Sequence, residues 1–302
     1  MKMLVLVNPL AGNGKTLKHL SKVKRVIERS PHDFIWKVTD TPEEMRAEIS
    51  GAPQKGIHCV LLMGGDGTVH EALPCFEQTD LPFGLLPCGR GNDFARNIGL
   101  PLNLMRNCFI PSEPLFQELD MPLINGRPFG SIACMGFDAE VNKFARDKKG
   151  YFGGTLGYII CVLRALKEYK PLEAEIKVDE FRWSGRIMMV AISNGPYYGG
   201  GMKIAPDARM DDGRFDVCII EEVSKWELLK EFPKVFRGRH TDHPKVILKS
   251  GKRVEVVSEE KREIFADGEY VGNIPGIGSF GNKRIQVMRF QSGKALQEGK
   301  IK

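Results

Sequence analysis

The sequence predicts an α/β protein: a parallel-sheet N-terminal domain, then a second, mainly antiparallel β domain with helical insertions. Three observations carry this. Apolar runs alternate with helical stretches in the order β-α-β-α-β-α-β-α up to about residue 97, which argues for a parallel sheet covered on both faces. Beyond residue 118 the pattern changes to short alternating runs separated by turn signals, which read as antiparallel strands. Polar, glycine-bearing loops follow the first, third and fourth apolar runs, where sheets of this kind bind ligands.

The first run, residues 1–7, fits a buried parallel strand. It stops at Asn8-Pro9-Leu10-Ala11-Gly12-Asn13-Gly14-Lys15-Thr16, and a helix is expected from there to about Arg29. Gly14-Lys15-Thr16 looks like the end of a P-loop, but that motif needs glycine where Pro9 stands, so the reading fails. Residues 34–38 form the second strand. Thr41-Pro42-Glu43-Glu44 opens the next helix, with Thr41 as cap, Pro42 in the first position and Glu44 closing a capping box.

The third strand, residues 58–63, breaks at Gly64-Gly65-Asp66-Gly67-Thr68-Val69-His70-Glu71. Glycine has no Cβ, so backbone N–H groups can come close to a bulky anion and positive φ costs little. The helix that follows, expected over residues 68–76 with an irregular end at Pro74, points its N–H groups and positive dipole end at the same spot. That suits phosphate. Asp66 would repel phosphate directly and reads instead as holding Mg²⁺, directly or through water. A tight βα turn, where Gly and Asp are common anyway, is the plain alternative. Residues 83–87 form the fourth strand, followed by Cys88-Gly89-Arg90-Gly91-Asn92-Asp93-Phe94-Ala95-Arg96.

In the second half, residues 120–124, Asn125-Gly126 and residues 128–135 read as a hairpin with a two-residue turn. Further strands are expected over 174–178, 186–193, 215–220, 245–248, 253–257 and 284–290. Domains are therefore drawn at 1–118 and 119–289, with residues 290–302 packing back on the first. Two helices interrupt the β pattern. Residues 154–170 are apolar nearly all round at first and read as a buried packing helix, with a lipid-facing helix the alternative, while 224–236 is amphipathic.

A chain of 302 residues can bury two cores. Lys and Arg number 44 against 38 Asp and Glu, a net charge of +6. This mild excess suits an anionic nucleotide or membrane surface, and no nucleic-acid-binding pattern accompanies it, so no nucleic acid is expected. Seven scattered cysteines without a C-x-x-C motif argue against a zinc site or disulfide framework and for a reducing, cytoplasmic compartment. No signal peptide is visible, and the apolar run at 158–163 falls far short of the roughly 20 residues that span a bilayer. The protein is expected to be soluble and at most peripheral to a membrane.

Gly64-Gly65-Asp66-Gly67-Thr68 with Glu71 resembles the nucleotide-binding signature of the diacylglycerol kinase catalytic-domain family, which includes sphingosine and ceramide kinases and bacterial YegS-type lipid kinases. Asn8-Pro9 with Gly12 and the Gly89–Arg96 turn are similar to its other nucleotide loops. Asn194-Gly195-Pro196 through Asp211-Asp212-Gly213, and Phe265-Ala266-Asp267-Gly268-Glu269-Tyr270, are similar to its later signatures. The match runs from Asn8 to Glu269.

The resemblance implies a Rossmann-like first domain, a β-sandwich second domain, and a lipid kinase moving the γ-phosphoryl group of ATP to the hydroxyl of diacylglycerol or a similar lipid, with Mg²⁺. It implies nucleotide contacts at Asn8, Pro9, Gly12, Gly64, Gly65, Gly67, Thr68, Glu71, Gly89, Arg90, Gly91, Asn92 and Asp93, with Thr41 a weaker candidate. Arg90 stands where many members have Thr, so a hydroxyl contact is lost and the guanidinium either reaches a phosphate or is solvated. Asp66 and Glu269 are the implied catalytic carboxylates. Glu269 follows the Asp267-Gly268 turn and would take the acceptor proton from across a cleft; an incidental acid on a β-turn is the alternative.

A structural Mg²⁺ is implied at Asp212 with the carbonyls of Arg209 and Arg214, against the alternative of a solvated acidic turn. The helix over 154–170 is placed beside an acyl-chain cleft. The implied partner is a lipid at the membrane surface, met peripherally by a cytoplasmic protein, and a homodimer is left open. NAD kinases and phosphofructokinases carry a related GGDG turn. An NAD kinase-like phosphotransferase is disfavoured because no downstream Asn-Glu pair or Gly-Ser-Thr-Ala run is present. A non-catalytic lipid or nucleotide sensor on the same scaffold is disfavoured by the intact Asp66, Asp93 and Glu269.

Overall fold

A computed structural model describes residues 1–147 and 155–289. The chain divides into one compact unit of Met1–Met121 with the segment from Asn282 onward, and another of Pro122–Gly281. Residues 290–302, expected to pack on the first domain, lie outside the described residues, as does Gly154.

The first unit runs β1 (Lys2–Val7), α1 (Lys15–Ile27), β2 (Asp33–Val38), α2 (Pro42–Ser50), β3 (Cys59–Gly64), α3 (Asp66–Thr79), β4 (Phe83–Pro87), α4 (Asp93–Asn97) and β5 (Leu115–Leu119). β1 pairs in parallel with β2 and β3, and β3 with β4. β3 and β4 are buried throughout, as is β1 after its first residue, because strands covered on both faces have no solvent side. Thr41 caps α2 by accepting from Glu44 N at 3.2 Å. The Glu44 carboxylate accepts from Asp40 N at 3.0 Å, so the expected box closes one residue early. α3 starts at Asp66 and carries Pro74 inside it rather than ending there.

The segment expected as a β-domain strand at 284–290 instead completes the first sheet. Its strand, Ile285–Arg289, lies between β4 and β5, parallel to one and antiparallel to the other. Alternating side chains identify a strand but not the sheet it joins. Asp120, 5% exposed, pairs with Arg284 at 3.0 Å beside the point where the chain leaves and re-enters this unit.

The second unit contains β6 (Pro122–Ile124), β7 (Arg127–Pro128), β8 (Ile132–Gly136), α5 (Phe137–Asp147), α6 (Thr155–Glu168), β9 (Leu172–Val178) and β10 (Phe181–Ser193). It continues with β11 (Tyr197–Tyr198), β12 (Met202–Lys203), β13 (Phe215–Glu221), α7 (Lys225–Val235), β14 (Val246–Gly251) and β15 (Val254–Val257). β16 (Glu263–Ala266), β17 (Glu269–Asn273) and β18 (Gly276–Phe280) complete it, leaving β19 (Ile285–Arg289) to the first unit. Eleven strands form one antiparallel sheet that branches at β10, where β13 and then β14 pair off the main path.

Asn125 and Gly126 make the expected turn with φ of 50° and 76°. The returning strand is only Arg127–Pro128, however, and Ile132–Gly136 is a separate strand that pairs with β10 and β16. Pro128 has no N–H to extend the ladder, and the N–H groups of Gly130 and Ser131 go to Asp267 instead.

β10 separates two cores. Ile187, Val190 and Ile192 pack with Phe129, Phe215 and Ile264, while Met189 and Ala191 pack with Phe137, Leu166, Tyr169 and Val235 under the helices. α6 buries Cys161, Val162, Ala165 and Leu166, and Tyr169 is buried just after it. α7 begins at a capping box between Ser224 and Glu227. Among the described residues no helix is long and apolar enough to cross a membrane.

Candidate active site

Three loops after the adjacent strands β1, β3 and β4 lock onto one another. Asn8 Nδ2 donates to Thr68 Oγ1 at 2.9 Å, Asn8 Oδ1 accepts from Leu10 N at 3.0 Å, and Thr68 Oγ1 also accepts from Gly65 N at 3.3 Å. Asp66 Oδ1 accepts from Phe94 N at 2.9 Å, joining the start of α3 to the start of α4. Asn92, at φ 52°, accepts from Gly89 N at 2.8 Å and donates to Gly89 O at 2.9 Å, closing its own turn.

Glycine serves a packing purpose here besides access. A Cβ on Gly65 would lie 2.7 Å from Gly89 Cα, and one on Gly89 would lie 2.6 Å from Gly65 Cα. No side chain fits between the two turns. The result is a glycine turn at the N-terminus of a 14-residue helix, pinned by neighbouring loops, a geometry that suits an anion.

Asn8, Gly64, Gly65, Asp66, Thr68, Gly89 and Asn92 are thus brought together, and Gly12 joins them, since a Cβ there would run into Cys88 O just after β4. Pro9 is buried beside them, Asp93 is buried with Oδ1 3.5 Å from Arg96 Nε, Gly91 is half-buried, and Gly67 and Arg90 are exposed. Two expected contacts are otherwise engaged. The Thr41 hydroxyl caps α2, and Glu71 forms an ion pair with Arg46, which also reaches Glu43, tying α3 to α2.

In the second unit, Asp267 (φ 51°) and Gly268 (φ 86°) form the two-residue turn between β16 and β17. The Asp267 carboxylate accepts from Gly130 N at 2.6 Å, Ser131 N at 2.8 Å and Ile132 N at 3.3 Å. Buried Asn194 holds the same segment from its other side, with its N–H on Ser131 O at 2.8 Å and Nδ2 on Gly130 O at 3.2 Å. Glu269, half-buried, opens β17 directly after this anchored turn, so its backbone position is fixed by rigid neighbours.

The anchoring role of Asp267 was not read from the sequence, since its partners are remote in the chain. Asp267→Asn is expected to lower stability by about 1.5–3 kcal/mol, because charge-assisted bonds to buried N–H groups are weakened. Urea unfolding monitored by circular dichroism measures this.

The acidic loop holds itself in shape. Asp212 Oδ1 accepts from Arg214 N at 3.0 Å, Arg209 Nε donates to Asp211 Oδ1 at 3.1 Å, and Arg214 Nε donates to Ser250 Oγ at 3.0 Å. Burial, together with the charges of Asp212 and Asp207, pushes the Asp216 carboxyl above the usual carboxylate range. Crowded carboxylates of this kind suit a cation. Among the described residues no three His, Cys, Asp or Glu side chains converge, so a metal here would draw on backbone carbonyls.

A cavity of about 650 Å³, mouth included, lies between the helices and the sheet of the second unit. Phe137, Val162, Met189, Ile220, Leu228 and Phe232 make its walls mostly apolar. Asp138 is a polar exception that the sequence reading passed over. It is 4% exposed and accepts from Cys134 Sγ at 2.8 Å and Asn142 Nδ2 at 3.0 Å. Burial and the neighbouring Asp138 charge push the Cys134 thiol well up, leaving it a neutral donor. Its only sequence signal is an acid placed just after a strand end, at Gly136-Phe137. His240, also on the wall, is 2% exposed, and burial lowers its pKa.

Comparison with known proteins matches residues 2–120 to the diacylglycerol kinase catalytic domain and residues 131–289 to the YegS C-terminal NAD kinase beta sandwich-like domain. Fold and matched segments together define the class, a lipid kinase that takes a nucleotide as co-substrate. A diacylglycerol kinase of Mycobacterium tuberculosis is 31% identical over 299 residues, covering 97% of this chain and 96% of the relative. One of Bacillus subtilis is 28% identical over 275 residues, covering 90% and 91%. The chain belongs to the diacylglycerol kinase catalytic-domain family, with the YegS-type second domain. A crystal structure of a Bacillus anthracis diacylglycerol kinase shares the fold, with a TM-score of 0.74 at 19% identity over 95% of this chain and 96% of that one.

Proposed function

We propose that this protein transfers the γ-phosphoryl group of ATP to the hydroxyl of diacylglycerol or a closely similar lipid. The observation that carries the reading is the interlocked set of loops at the ends of β1, β3 and β4, opening on the N-terminus of α3. Backbone N–H groups of that turn would hold the phosphates, and Asn8 and Thr68 keep the turn in shape. Bound Mg²⁺ would neutralise charge between the phosphates, and Asp66 would hold it, directly or through water. Because one Asp66 oxygen accepts from Phe94 N, the same carboxylate keeps the second glycine turn in register.

Glu269 would accept the proton of the acceptor hydroxyl as the new P–O bond forms and ADP leaves. The apolar cavity of the second unit suits an acyl chain. A second Mg²⁺ at Asp212, with the carbonyls of Arg209 and Arg214, would brace the acidic loop. The reading also makes the protein a visitor to the membrane surface, where its acceptor resides.

Incubation with radiolabelled ATP, Mg²⁺, NAD and a total lipid extract tests this, with the labelled product identified by mass spectrometry. Phosphatidic acid is the expected product, formed only with the metal present. Label appearing in NADP instead, or in no product, overturns the proposal.

A further inference from the structure

α7 has two faces of opposite character. Leu228, Phe232 and Val235 face the cavity, and so do both acids of the helix, Glu227 and Glu231. The other face carries Trp226, 83% exposed, then Lys230 and Lys234, with Arg237 just beyond the helix, while Phe236 meets the cavity-facing Phe232 edge-on. Positions 226, 230, 234 and 237 follow the helical repeat, so these groups form one stripe. Lys234 pairs with Glu231 at 2.8 Å, while Lys230 and Arg237 have no carboxylate within ion-pair distance among the described residues. At the helix start, Lys225 Nζ donates to Lys167 O at 2.7 Å, which joins the stripe to α6. There Leu163, 50% exposed, stands one turn before Lys167.

A tryptophan this exposed gains by moving to a headgroup layer, where its ring is apolar and its N–H stays hydrated. Basic side chains along the same stripe gain from an anionic surface, and the two attractions act together. A protein partner is the poorer fit, since lysine is depleted at the centres of protein interfaces. We propose that the outer face of α7, anchored by Trp226 and supported by Lys230 and Arg237, docks this protein on anionic phospholipid bilayers. The inference needs no catalysis, and it goes beyond the proposed reaction by naming the surface that meets the lipid.

The test uses the full chain and vesicles of equal parts phosphatidylcholine and phosphatidylglycerol, with pure phosphatidylcholine vesicles as reference. Co-sedimentation is expected with the anionic vesicles, weakened by salt and reduced at least about tenfold by W226A and by K230E/R237E. The chain has three tryptophans, so W36F/W183F leaves Trp226 as the only reporter. Its emission should shift to the blue on binding and be quenched by brominated lipid. Binding unchanged by both surface variants, an unshifted Trp226 in the bound protein, or no anionic binding at all overturns the proposal. Concentration-dependent self-association lost in W226A would assign the stripe to a second copy and overturn it equally. Phosphorylation of a short-chain, monomeric diacylglycerol is expected to be unchanged in W226A; its failure in the unaltered protein counts against the kinase reading and leaves the docking result standing.

Discussion

Replacing Glu269 with glutamine is expected to lower kcat by about two to four orders of magnitude, the range a positioned general base contributes. Glutamine keeps the size and a carbonyl acceptor but cannot take the hydroxyl proton. The hairpin should survive, because Asp267, not Glu269, holds it to Gly130 and Ser131. KM for ATP should therefore change little, as should the circular dichroism spectrum. Steady-state assay at saturating lipid measures the effect. A variant with more than about a tenth of the original kcat would move the proton acceptor to another group.

Gly65→Ala is expected to abolish nucleotide binding and to lower stability by about 1–3 kcal/mol, as overpacking does. The added methyl would lie 2.7 Å from Gly89 Cα, where no flexible side chain can yield. The two turns must separate, and with them go the Asp66–Phe94 bond and the N–H array at the start of α3. Calorimetric titration with an ATP analogue and a thermal melt measure the two effects. Binding of a fluorescent fatty acid to the second unit should be unchanged. Nucleotide affinity preserved within about threefold would place the phosphates elsewhere.

Much of the fold is legible because the signals are local. The Gly64–Thr68 turn, the Asn125-Gly126 hairpin turn and the helix read over 224–236 each rest on signals within a few residues, and each appears where the chemistry of those residues puts it. Periodicity also finds β9 and β13 to within two residues, while β10 starts five residues before the strand read there. What could not be read depends on distant partners. Nothing near residues 285–289 says that they enter the parallel sheet, α5 is not foreseen, and neither is the break between β7 and β8. Asp267 looks like a turn residue until Gly130 and Ser131 are found on its carboxylate.

The same division runs through the candidate site. Candidates for phosphate-type chemistry came from identity and spacing, in the glycines around Asp66, whereas Glu269 became the candidate proton acceptor through the family resemblance. Packing then engages some of these side chains elsewhere, Thr41 as the cap of α2 and Glu71 in an ion pair from α3 to α2, and presses Gly65 against Gly89. The physical reason is range. Torsional preference and side-chain chemistry act over a few bonds and are written in order along the chain, whereas steric fit and hydrogen-bond pairing act between groups that only folding makes neighbours.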